Sequence, residues 1–147
     1  MIILLQSAST QAQKISDEEI YFNLWHITNL SLDSNTIINK DTLILRQALR
    51  SGATHYPDST TISPYDTWSI QFGEYHDFTI FSIQRPPTGI GYKPSDYYTE
   101  MYPCLNTVWS RNRKEIIFKI GTQSPVKYFI HQYSQLELIL VKLEWHP

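Results

Sequence analysis

The sequence predicts a mostly β protein: a single antiparallel up-and-down barrel or a strongly curved sheet, with one short N-terminal helix. Three observations predict it. Apolar and polar residues alternate in short runs bounded by turn residues, most plainly between 116 and 143. Aromatic residues make up 14% of the chain, and with the β-branched ones they suit a pleated, half-buried surface. The 147 residues fit one domain, long enough to bury a core without disulfide staples.

The helix is expected first. Ser16 followed by Glu19 has the spacing of a capping box, and Asp17, Glu18 and Glu19 suit the positive end of a helix dipole. One helical turn over 16–20 is expected, then a strand over about 22–32, where aromatic and β-branched types gather. Residues 36–52 fit two templates. One is a hairpin of 36–38 with 42–46; the other is a helix capped by Asp41 and ended by Gly52. The β-branched pairs favour the hairpin.

Residues 51–65 hold Gly52, Pro57 and Pro64 among Ser and Thr and read as a loop. The run 67–72 alternates, with Trp68, Ile70 and Phe72 on one face. A turn over 73–77 leads to a strand over 78–83, with Phe78 and Ile80 on one side and Phe81 and Ile83 on the other. Residues 85–103 then hold four prolines, two glycines, and Tyr92, Tyr97, Tyr98 and Tyr102. A loop of this length is uncommon in a small domain and is often functional.

From Trp109 to Trp145 the pattern reads as three strands. Ile116, Phe118 and Ile120 alternate with their neighbours; so do Val126, Tyr128 and Ile130; then Leu136, Leu138 and Leu140. Phe118, Tyr128 and Leu138 are expected on one side of one sheet. The apolar face of the last strand changes sides around 139–141, which a β-bulge would do.

Several function classes lose support here. The net charge is −2 and no basic run exceeds 111–114, so there is no basic face for nucleic acid. No apolar run approaches the ~20 residues of a membrane span. Cys104 is the only cysteine, so no intrachain disulfide is available; it reads as a small buried hydrophobe, with a reactive thiol as the sharper alternative. Glu74 and His76 offer the one carboxylate–imidazole couple, but between two strands they read as a solvated turn. Gly89 and Gly91 lack the third glycine of a dinucleotide turn. Asn29-Leu30-Ser31 matches a glycosylation acceptor, a triplet frequent by chance. No cofactor, metal site or catalytic residue is expected.

At the N-terminus, Thr10 and Ala12 are small residues at the two positions a signal peptidase reads. Residues 1–12 are expected to be the end of a truncated signal peptide, and 13–147 a single exported domain, periplasmic or secreted. A frayed segment or an edge strand is the alternative.

The order of features resembles the small lipocalin-like proteins of the calycin group. Trp25 lies in an early strand; an aromatic hairpin, Cys104 and Trp109 follow; then come the runs around Phe118, Tyr128 and Leu138. The resemblance is clearest over 104–143. It implies an exported, hollow antiparallel barrel that takes a small apolar ligand. From this resemblance and the aromatic excess, the expected function is non-catalytic binding of a small apolar molecule or an envelope component. The alternative is a protein-binding inhibitor or immunity-type module that uses the Tyr-rich loop; a hollow interior favours the first reading, and a filled one with the loop's tyrosines exposed favours the second. Candidate ligand- or partner-binding residues are Tyr92, Tyr97, Tyr98, Tyr102, Trp68 and Trp109, since aromatic side chains line pockets and interfaces.

Overall fold

The computed structural model describes residues 15–30, 40–49, 52–65, 67–83, 99–101 and 107–144. Within them one helix, α1 (Asp17–Tyr21), is followed by the strands β1 (Leu24–Ile27), β2 (Thr42–Ala48), β3 (Thr54–His55), β4 (Thr61–Ile62), β5 (Trp68–Phe72), β6 (Phe78–Ile83), β7 (Thr99–Met101), β8 (Thr107–Asn112), β9 (Glu115–Ile120), β10 (Val126–Tyr133) and β11 (Glu137–Lys142). The expected fold class is what the chain adopts: mostly β, antiparallel, with one short helix.

The capping box forms as the Ser16/Glu19 spacing requires. The Ser16 hydroxyl accepts the Glu19 N–H at 3.3 Å, and the Glu19 carboxylate accepts the Ser16 N–H at 2.7 Å. Only five residues are helical, so packing of Ile20, fully buried, must hold the turn in place.

Nine strands make one sheet in the order β7-β6-β5-β1-β2-β11-β10-β9-β8, antiparallel at every step. Its two ends approach across β6. The first residues of that strand meet β8, where the Trp109 N–H donates to the His76 carbonyl at 2.7 Å and the Thr107 hydroxyl to the Phe78 carbonyl at 2.6 Å. The last residues meet β7, with Phe81 opposite Met101. One edge is thus shared between two strands, and the sheet becomes a nearly closed barrel.

One connection departs from simple meander order. β1 lies between β2 and β5, so the chain from β2 to β5 must cross β1. It does so on the outside, carrying the β3–β4 hairpin.

Several boundaries differ from the sequence reading. The strand expected over 22–32 ends at Ile27 because Asn29 takes over the ladder: its amide donates to the Thr42 carbonyl at 2.8 Å and accepts the Ile44 N–H at 3.0 Å. The side chain of the glycosylation triplet is therefore already committed. Residues 42–48 form a strand and not a helix; its neighbours are β1 and β11, and the expected partner 36–38 lies outside the described residues. Strand β8 was not expected. Its turn into β9 is built on Arg113 at φ 55°, without the glycine or asparagine that would advertise a left-handed turn.

The bulge falls in β10, one strand away from the expected place. Register shifts between Ile130 and Gln132 opposite β11. The extra residue, His131, reverses the alternation and points Tyr133 inward, where it packs against the core. In β11, Leu138 and Leu140 are buried while Ile139 and Val141 are half-buried on the outer side. Phe118, Tyr128 and Leu138 do share the inner face, all at 1% exposure or less.

Candidate binding site at one end of a filled barrel

The interior is occupied by the protein's own aromatic side chains. Trp25, Phe72, Phe78, Trp109, Phe118 and Tyr128 are all at 2% exposure or less. Phe118 is the hub: its ring centroid lies 5.8 Å from Phe72, 5.2 Å from Phe78 and 5.7 Å from Tyr128, and Phe72 lies 5.3 Å from Trp109. Tilted and edge-on arrangements at these spacings add attraction beyond area burial. Alternation on each strand forces this filling, because every second residue points inward.

The two ends differ. At one, α1 is the plug. Trp25 Nε1 donates to the Ile20 carbonyl at 3.0 Å, and Trp109 Nε1 donates to the Gly73 carbonyl at 2.9 Å. Arg111 holds Asp17 at 2.9 Å. Glu19 is held below the usual carboxylate range, first by the Ser16 N–H and next by Tyr133.

The other end, here called distal, is where β1, β6, β9 and β11 finish and β2, β5, β8 and β10 start. Trp68 is the first residue of β5 and lies on its inner face, 8% exposed. Its indole Nε1 is buried with no hydrogen-bond partner, the one such side-chain atom among the described residues. One residue earlier, the Thr67 hydroxyl donates to the Ile27 carbonyl at 2.9 Å. The inner face nearby carries Ile27 and Ile70, with Ser82 one step beyond the Ser69–Phe81 couple. Also at this end, a groove of about 700 Å³ lies between the β9–β10 turn and the end of β11, lined by Pro125, Val126 and Leu143 with Lys127 and Lys142. Tyr128 reaches the same end and donates to the Lys40 carbonyl at 2.7 Å; burial pushes its phenol up.

A polar cluster on the outer face is structural. His26 is fully buried under the crossing chain, with Nδ1 3.2 Å from the Ser69 hydroxyl and Nε2 3.4 Å from that of Thr54. Thr54 also accepts the Leu49 N–H at 3.0 Å. Burial drives His26 down to about 4, so it is neutral at neutral pH. The Ser–His pair cannot serve as a nucleophile with its base, because Ser69 is 2% exposed and the imidazole's second nitrogen meets a hydroxyl, not a carboxylate. Beside it, Arg46 binds Asp58 at 2.6 Å and Glu137 at 3.1 Å and lies 4.5 Å from the centre of the Tyr56 ring. These contacts clasp the β3–β4 hairpin to the barrel.

Of the residues expected to bind, Trp109 is 1% exposed and its N–H is satisfied, which places it in the core. Trp68 is the one described candidate with an unused donor. Tyr92, Tyr97, Tyr98, Tyr102 and Cys104 lie outside the described residues, as do residues 1–12 and His146. Glu74 and His76 sit in an exposed turn, where strand geometry does not align them; His76 packs on Trp109 at 5.5 Å instead. Sequence reasoning missed the distal groove because its lining comes from two turn-flanking segments without any motif.

Among the described residues no group of His, Cys, Asp and Glu could hold a metal ion, and no helix is long and apolar enough to cross a membrane. No family model matches the chain, and no curated protein or solved structure matches it.

Proposed function

We propose that this chain is a non-catalytic, exported binding protein that meets its ligand at the distal end of the barrel and not in the deep interior. The filling of that interior carries the reading. Six aromatic side chains occupy the space that a hollow barrel would give to a ligand, so a bound molecule is confined to an end or to the outside. The mouth at the helix end is closed by α1 and its hydrogen bonds, and the groove of about 610 Å³ outside it has Phe129 as its one apolar lining residue among the described residues, beside Asn112, Arg113, Lys114 and Glu115, which favours the distal end.

A small apolar molecule is the first ligand class; the filled interior departs from the hollow barrel that the lipocalin-like resemblance implies, so this class rests on the distal groove. The distal groove supports it with Pro125, Val126 and Leu143. A protein partner met by the Tyr-rich segment is the second; the described residues that flank 84–98 lie at the same end. The strands flanking residues 84–98 finish at Ile83 and resume at Thr99 there. Export belongs to the same proposal: cleavage after Ala12 leaves Ile15, 3% exposed, and the capping box intact. The native protein is then expected to start near Gln13.

Hydrogen–deuterium exchange of the protein with and without an envelope extract of the native host tests the location. Protection gained over 84–106, 121–127 and 142–147 is the expected result. Protection gained only over 73–77 and 112–115, at the helix end, overturns it.

A further inference from the structure

We propose that the Trp68 indole N–H is the anchoring donor for a small apolar molecule that carries a carbonyl or carboxylate oxygen, bound at the distal end. The inference rests on the distal-end reading and names its ligand chemistry. Three indoles are described, and two are satisfied by backbone carbonyls at the helix end, Trp25 by Ile20 and Trp109 by Gly73. The third, Trp68, is 8% exposed and its nitrogen has no partner. A buried donor left unpaired gives up its bond to water for nothing, which is why such groups are rare in folded chains and mark places where something else binds.

The donor dictates the ligand. An indole nitrogen can only donate, so its partner must present a lone pair, and an ammonium cannot serve. The surroundings dictate the rest. Ile27 and Ile70 share the inner face beside Trp68, with the buried Ser82 one step beyond the Ser69–Phe81 couple. An oxygen attached to an apolar body needs only the one donor; Ile27 and Ile70 are themselves fully buried, so its hydrocarbon lies towards the distal mouth. Phe72, Phe78 and Phe118 limit the depth, so the molecule is short or lies mostly outside the barrel.

The test uses the ¹⁵N-labelled full chain, whose four tryptophans give separate indole signals. Trp68→Phe assigns the Trp68 signal and removes the N–H while keeping a buried ring. Three short probes are titrated: hexanoate, 2-hexanone and hexylammonium. The expected result is a saturable downfield shift of the Trp68 indole proton with hexanoate or 2-hexanone and none with hexylammonium. Binding to Trp68→Phe is then weaker by about tenfold or more. If that variant does not fold, the wild-type titration decides by itself. Two results overturn the inference. In one, a probe shifts amides around 126–127 and 142–143 without moving the Trp68 indole; the distal end then binds, but Trp68 is no anchor. In the other, the indole is already hydrogen-bonded within the chain and no probe moves any distal signal. The wider reading then stands or falls on the exchange experiment alone.

Discussion

At His26 a single side chain joins three elements. It belongs to β1, bonds Ser69 of β5, and touches Thr54 of the crossing hairpin. Its ordinary value of 6.5 falls to about 4 because burial penalises the imidazolium. The charged neighbour across the strand, Arg46, is already neutralised by Asp58 and Glu137. The folded state therefore takes up a proton less readily than the unfolded chain. Stability from His26 is complete above pH 6.5 and is lost as pH falls towards 4, by about 3 kcal/mol across that window. The Asp58 carboxyl, held far below its usual range by Arg46, contributes its own loss only at lower pH. Urea unfolding at pH 7, 5.5 and 4.5 checks this. His26→Gln should be less stable at pH 7 yet nearly flat across the same interval; an equal slope in both proteins would assign the acid sensitivity elsewhere. His26 gave no sign of this role in the sequence, because its partners are 28 and 43 residues away.

The C-terminal hairpins show what period-two alternation carries and what it omits. Phe118 and Lys119 are adjacent in β9 but face opposite ways, 1% exposed and exposed respectively. Phe118→Ala empties the hub of the aromatic cluster and should cost about 3–5 kcal/mol. Lys119→Ala should stay within about ±0.5 kcal/mol. Chemical denaturation of both decides it, and similar losses would mean the inner face is misassigned. The faces of β5, β6, β9, β10 and β11 were legible because each residue's direction depends only on its neighbours in the chain. Strand β8 was not legible, since Arg113 adopts a left-handed conformation without a left-handed residue type. Nor was the position of the bulge, which depends on Ile130 and Gln132 facing Leu140 and Ile139 across the ladder. The candidate site was legible only in part. Trp68 stood out as an aromatic on an inner face, but its unpaired N–H is a property of three-dimensional surroundings.

Closure is a property of the whole molecule and, among the described residues, rests on few contacts. Along most of the sheet each strand is held by a full ladder; between β8 and β6 the join among the described residues is one backbone bond, Trp109 to His76, and the Thr107 side chain. The Thr107 hydroxyl donates to the Phe78 carbonyl at 2.6 Å and accepts the Phe78 N–H at 3.4 Å. One side chain thus replaces two backbone partners at the seam. Thr107→Val keeps the shape and the β-branch but leaves the Phe78 groups without that partner. A loss of about 1–3 kcal/mol is expected, while Thr107→Ser, which retains the hydroxyl, should lose less. The distribution of the effect separates closure from ordinary hydrogen bonding. Opening the seam turns β8 into a free edge, so amide exchange should quicken at Phe78 and Trp109 together, on strands 29 to 31 residues apart in sequence, with little change in β2 or β11. A free edge also invites pairing with other chains, so Thr107→Val should associate at lower concentration than the parent by light scattering. If exchange quickens only at Phe78 and the variant stays monomeric, Thr107 is a local bond, and the barrel is held shut by its aromatic interior.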